Sequence, residues 1–205
     1  MRIAIYSYVT PGYDKKIQDG RSYIQLPEQL TDRFSNTRMV ARMVKCLPHL
    51  FMDPNDVDAC LWIDSNVYLK KGYNYEKLIT EYFVDAKHCG VFAHTQRKTV
   101  NEEILAVNEY RLDYPNLTDR HKDRQGLLAW TGILYRTFTP EVIRANEKWW
   151  AEVSTKSSRD QLSFPYCFEG LTDYRENPDL ETLGELCWTN NSKWGKTKHL
   201  KKQNF

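Results

Sequence analysis

Short apolar runs alternate with helix-patterned segments along most of the chain, and that alternation restricts the fold more than any single motif does. "RIAIYSYV", "ACLWID", "CGVFAHT" and "GLLAWTGILYR" read as strands. "SNTRMVARMVKCLPH", "NYEKLITEYFVD", "VNEEILAVNEYR" and "TPEVIRANEKWWAEVS" read as helices. A second short strand is expected around "VYL", and a short helix or turn over "SRDQLSFPYCF". Strands alternating with helices imply a layered α/β fold with a largely parallel sheet. In such sheets ligands gather outside the carboxyl ends of the strands. Tyr6, Ser7, Asp64 and His94 all lie at or near such ends.

The helix ends carry their own signals. Ser35 or Asn36 can cap the first helix, and Pro48 closes it. Met39, Val40, Met43, Val44 and Leu47 form its apolar face. Arg38, Arg42 and Lys45 fall on the opposite face, within roughly 60° of one another. Two readings fit these three residues: a solvated outer face, or a basic ridge that meets a diphosphate. Thr139 caps the last long helix, with Pro140 at its first position.

A chain of 205 residues suits one sizeable domain. The five cysteines, an odd number without zinc-like or redox-like spacing, read as buried free thiols in a reducing compartment. The amino-terminal apolar run is too short for a secretory signal. No apolar stretch approaches the ~20 residues that span a bilayer. The expectation is a cytoplasmic protein without a membrane span, monomeric or homodimeric. Five of the 29 basic residues lie in the last fifteen positions, which hold no acid; the other 24 face 27 acidic residues, a net of −3. A mildly acidic body, residues 1–190, therefore precedes a basic tail, residues 191–205. That tail is either a solvated end or a grip on phosphate.

The chemistry gathers at a few places. Asp64-Ser65-Asn66 follows a buried-looking strand, beside Trp62. Mg²⁺ or Mn²⁺ at a nucleotide site takes one or two protein carboxylates and completes its shell with water and phosphate. A short Asp-x-Asp at a strand end suits that; here the third residue is Asn66, a weaker, neutral ligand, and Asp and Asn are also common turn formers. In "RDQLSF", Asp160 beside Gln161 could take an acceptor proton or hold a developing positive charge, or Asp160 could cap a helix. His94 and Arg97, three apart after a strand, are both able to bind phosphate. Neither a G-x-G-x-x-G nor a Walker sequence is present, which argues against a dinucleotide oxidoreductase and a P-loop kinase.

The order of these pieces resembles a nucleotide-sugar glycosyltransferase of the GT-A type, and more narrowly the glycosyltransferase-like family that includes plant mucilage-related proteins. "RMVKCLPHLF", "LWIDSNV", "AHTQRKTVNEE" and "KWWAEVSTKSSRDQLSF" carry the resemblance, over residues 1–168. The last segment also resembles the Asp-Gln segment of retaining transferases of family eight. An Asn-Ala-Gly strand precedes that segment in family eight, and "WTGILYR" stands in its place here. The resemblance implies a GT-A-like single domain with a mostly parallel central sheet flanked by helices. It implies that Tyr6 and Ser7 line a nucleotide pocket, and that Arg38, Arg42 and Lys45, with His94 and Arg97, approach the donor phosphates. Asp64, with Asn66, would hold Mn²⁺ or Mg²⁺. Asp160 and Gln161 would face sugar and acceptor. His199, with Lys196 or Lys198, would complete the metal and diphosphate grip. Asn66 departs from the usual second Asp, which leaves metal-independent action open.

The implied partners are a nucleoside-diphosphate sugar and a hydroxyl acceptor. The acceptor is a saccharide, a protein or a hydroxylated nucleic-acid base of the kind viral DNA modification uses; a base in a duplex would have to be flipped out. "DRHKDRQ" and the tail would supply phosphate contacts to such a substrate. Two other classes stay open: an aspartate-dependent phosphohydrolase, and a non-catalytic nucleic-acid or sugar-binding module.

Overall fold

The computed structural model describes residues 1–10, 16, 18–27, 37–70, 72–110, 112–113, 118–122, 126–175 and 187–189. The basic tail, with Lys196, Lys198 and His199, lies outside the described residues, as do Ser35 and Asn36. Eight strands are described: β1 (Ile3–Ser7), β2 (Ser22–Tyr23), β3 (Ala59–Ile63), β4 (Val67–Leu69), β5 (Cys89–Ala93), β6 (Ala129–Thr137), β7 (Thr172–Arg175) and β8 (Cys187–Thr189). The helices are α1 (Thr37–Cys46), α2 (Tyr75–Tyr82), α3 (Val100–Glu109), α4 (Pro140–Thr155) and α5 (Asp160–Cys167).

Six strands make the central sheet, in the order β2-β1-β3-β6-β5-β7. β1 runs parallel to β2 and β3, and β5 runs parallel to β7. β6 runs antiparallel to both of its neighbours, β3 and β5. Five strands thus point one way and one points against them, giving the mostly parallel α/β sheet expected. β4 and β8 form a separate antiparallel pair.

The strand period of two splits the core between the faces. Cys60 and Trp62 of β3 pack with Val40 and Val44 of α1, Trp149 of α4 and Phe164 of α5. Ala59, Leu61 and Ile63 point the other way, to Leu78 of α2 and to Phe83. Helices α1, α4 and α5 therefore cover one face and α2 the other. Helix α3 packs on α5 through Val100, Ile104 and Leu162.

The helix starts follow their caps. The Thr139 hydroxyl accepts from the Val142 N–H, with Pro140 next in line. Asn74 and Thr99 cap α2 and α3 in the same way. Helix α5 differs: Arg159 holds the cap position without a side-chain bond, and Asp160 is the first helical residue. The carboxylate sits in the first turn, where the helix dipole favours negative charge, and is free to bond elsewhere. Cys46, Cys60, Cys89 and Cys167 are buried free thiols, as expected.

The central sheet is irregular at one point, between β5 and β6. A single step along β5, from Val91 to Phe92, spans four residues of β6, from Leu134 to Trp130. Strand β6 bulges away from β5 over Thr131, Gly132 and Ile133, while Ile63 of β3 stays paired with Ile133. Bulges of this kind re-aim side chains. Among the described residues no helix is long and apolar enough to cross a membrane.

Candidate active site

A cavity of about 160 Å³ opens at the edge where β3 and β5 end and β6 begins. Arg42, Lys45, Asp64, His94, Arg159 and Asp160 supply its charged and titratable lining, completed by Trp130, Thr131, Gly132 and Gln161.

Lys45 stands at its centre, although it is only 1% exposed. Its ammonium lies 2.7 Å from Asp160 Oδ2, 3.2 Å from Asp64 Oδ1 and 3.1 Å from Thr131 Oγ1. The bulge in β6 is what brings Thr131 to this point. The Thr131 hydroxyl donates onward to Asp160 Oδ2 at 2.9 Å, and Arg42 Nη1 reaches the same oxygen at 2.9 Å. Burial alone would push the Asp160 carboxyl up, but Arg42, Lys45 and Arg159 together hold it well below the usual carboxylate range. It is a fixed anion at any working pH and a poor proton acceptor. The Trp149 indole N–H donates to the Asp160 carbonyl at 2.9 Å and ties the start of α5 to α4.

Asp64 follows β3 directly, its N–H donating to Gly132 O at 2.8 Å. Trp62 Nε1 donates to Asp64 Oδ1 at 2.6 Å, so the tryptophan two residues back aims the carboxylate. Gly132 is required by close approach: a Cβ there would come within 2.8 Å of the Trp130 ring. Gln161 also lines the cavity, with both ends of its carboxamide engaged. Nε2 donates to Ala129 O at 3.0 Å, and Oε1 accepts from Arg159 Nη2 at 3.3 Å. The carboxamide clamps α5 to the start of β6.

Behind the cavity lies an ion cluster that sequence reasoning missed. Glu103, fully buried on α3, pairs with Arg97 and, at 2.6 Å, with Arg159. His94 Nδ1 accepts from the backbone N–H groups of Gln96 and Arg97, each at 3.2 Å. Burial, then the Arg97 and Arg159 charges, push the His94 imidazole down to about 4, so it is neutral at pH 7.

The expected site residues divide into two groups. Arg42, Lys45, Asp64, His94, Asp160 and Gln161 come together around the cavity, and Arg97 supports it through His94 and Glu103. Tyr6 and Ser7 are buried at the end of β1, away from the lining. The Tyr6 hydroxyl accepts from Arg136 Nη2 at 2.7 Å and faces Lys45 O at 3.3 Å, which is a place in the core. Arg38 is half-buried near the start of α1 and does not line the cavity. Asn66 sits in the Asp64–Val67 turn, closed by Val67 N–H to Asp64 O at 2.9 Å, and does not line the cavity either.

This geometry bears on the metal. Among the described residues no group of three or more His, Cys, Asp or Glu side chains converges to hold an ion. Of the expected ligands, Asp64 Oδ1 already holds an indole N–H and an ammonium, Asn66 belongs to a turn, and His199 lies outside the described residues. In the described residues it is the Lys45 ammonium that stands between the two aspartates.

No protein-family profile and no curated protein matches the chain in sequence. Solved structures do match. One is a glycosyltransferase involved in the glycosylation of the major capsid of PBCV-1, at 11% identity and a TM-score of 0.55, covering 98% of this chain and 96% of that one. Another is the apo form of mouse xyloside xylosyltransferase 1, at 14% identity and a TM-score of 0.39, covering 65% of this chain and 50% of that one. The first likeness, over nearly the whole of both chains, establishes the architecture: this chain has the α/β fold of that glycosyltransferase.

Proposed function

We propose that the chain transfers a glycosyl group from a nucleoside-diphosphate sugar to a hydroxyl acceptor. The observation that carries this reading is the cavity at the end of β3, where Asp64 and Asp160 meet Arg42, Lys45 and Arg159. Three fixed cations beside two fixed anions suit a substrate whose leaving group gains negative charge while its sugar gains positive charge. The fold shared with a glycosyltransferase supports the same reading.

In this mechanism the bond from the anomeric carbon to the diphosphate oxygen breaks and a bond to the acceptor oxygen forms. Arg42 and Arg159 offer donors to the diphosphate, and Asp160 stabilises the positive charge that develops on the sugar. Its depressed pKa speaks against a general-base role. The acceptor proton passes instead to the departing diphosphate oxygen, which favours retention at the anomeric carbon. The acceptor is a hydroxyl of a saccharide, a protein or a hydroxylated nucleic-acid base. His199, with Lys196 or Lys198, is proposed to complete the metal and diphosphate grip.

A thermal-shift panel of nucleoside diphosphates and their sugars tests the reading. A ligand at ~100 times its dissociation constant adds ~2.7 kcal/mol, which raises Tm by roughly 5–11 °C in a chain of this size. At least one nucleotide should give that shift. No shift with any nucleotide, together with phosphate release from p-nitrophenyl phosphate, would replace the transferase with the phosphohydrolase.

A further inference from the structure

We infer that the Lys45 ammonium is the resident cation of this site, standing between the two aspartates, and that the donor diphosphate is held without a metal. The inference rests on the transferase reading for its diphosphate and on geometry alone for its cation.

An ammonium has three N–H donors. Here all three meet acceptors, on Asp160, Thr131 and Asp64, at 2.7, 3.1 and 3.2 Å. The side chain also passes over Trp62, with Nζ 5.7 Å from the ring centroid. The backbone beneath it is anchored as firmly. Lys45 O, in the last turn of α1, accepts from Arg136 Nη2 at 2.6 Å. That guanidinium is itself fully buried and held by Asn146 Oδ1 at 2.5 Å. A cation at a helix C-terminus is favoured by the helix dipole, so Arg136 fixes the turn from which Lys45 projects. Lys45 is therefore a built element of the site, unlike a mobile surface lysine that a metal could displace.

The charge balance agrees. Arg42, Lys45, Arg97 and Arg159 stand against Asp64, Asp160 and Glu103, an excess of one positive charge. That excess offsets one of the two negative charges that a nucleoside-diphosphate sugar brings. Lys45 commits its donors to the aspartates and Thr131, while Arg42 and Arg159, each paired with a carboxylate through one nitrogen, line the cavity where the phosphates would lie.

The test has two arms on the wild-type chain and one on a variant. Titration with Mn²⁺ alone, followed by EPR, should leave the full signal of the free hydrated ion. Calorimetry with inorganic pyrophosphate and with UDP should show binding in EDTA that added Mg²⁺ does not tighten. Lys45→Met should weaken that EDTA-resistant binding by roughly tenfold or more. Depletion of the Mn²⁺ signal that Asp64→Asn abolishes would overturn the inference, as would binding that vanishes in EDTA. If neither pyrophosphate nor UDP binds under either condition, the transferase reading loses its support, and the Mn²⁺ arm still decides the cation. The wild-type arms hold whether or not Lys45→Met folds.

Discussion

Replacing Asp160 by Asn keeps the size of the side chain and removes its charge. The residue is 2% exposed, and its Oδ2 accepts from Arg42, Lys45 and Thr131 at 2.9, 2.7 and 2.9 Å. Asn leaves two cations facing an amide, and removing one partner of a buried ion pair costs ~3–5 kcal/mol. For a chain of this length that is a fall in Tm of roughly 6–20 °C. The pH dependence adds a second signature. The carboxyl is held below its unfolded value, so its contribution is complete above that value, about 3.9, and fades as pH falls from there towards the folded value. The gap between wild type and Asp160→Asn should therefore be full at pH 7 and about 1 kcal/mol narrower at pH 3. Urea denaturation of both proteins across that range measures it. A loss under ~1 kcal/mol at pH 7, or a gap that stays constant down to pH 3, would refute the picture of a carboxylate locked between cations.

The same geometry sets three further outcomes. Thr131→Val removes the hydroxyl shared by Lys45 and Asp160 and should cost ~1–3 kcal/mol in denaturant unfolding; a neutral result would deny the bulge its role. Gly132→Ala brings a methyl within 2.8 Å of the Trp130 ring, so stability should fall by ~1–3 kcal/mol and tryptophan fluorescence should change. Unaltered emission and stability would mean that the ring moves aside freely. His94 titrates near 4 in the fold against 6.5 ordinarily, so its contribution to stability is full above 6.5 and is lost as pH falls towards 4. His94→Gln should flatten stability against pH over that interval, and an unchanged slope would place the titration elsewhere.

Local signals in the sequence were enough for most of the elements. The apolar runs ending at Ser7, Ile63 and Ala93 are strands, and Thr139-Pro140 starts a helix because cap and proline act within one turn. What local signals cannot carry is pairing. The reversal of β6 depends on partners about 40 and 70 residues away. The bulge at Thr131–Ile133 left only a hint, the Thr-Gly step within an apolar run. Of the basic face on α1, Arg42 and Lys45 turn out to be bound to aspartates, whereas a helical projection places them in solvent equally well. Tyr6 looked like a lining residue because it ends a strand, but the Arg136 guanidinium draws its hydroxyl into the core. Glu103 gave no sign of burial, since its partners Arg97 and Arg159 come from two separate segments.

Glycosyl transfer at the Asp64–Asp160 cavity is tested most directly by turnover. The chain should be incubated with each nucleoside-diphosphate sugar in turn, together with saccharide, protein and hydroxylated-base acceptors, and release of the nucleoside diphosphate followed. The expected result is release from one donor class, abolished in Asp64→Ala and in Asp160→Ala while both variants keep the wild-type circular dichroism spectrum. Release that persists at wild-type rate in either variant, or no release from any donor, would contradict it.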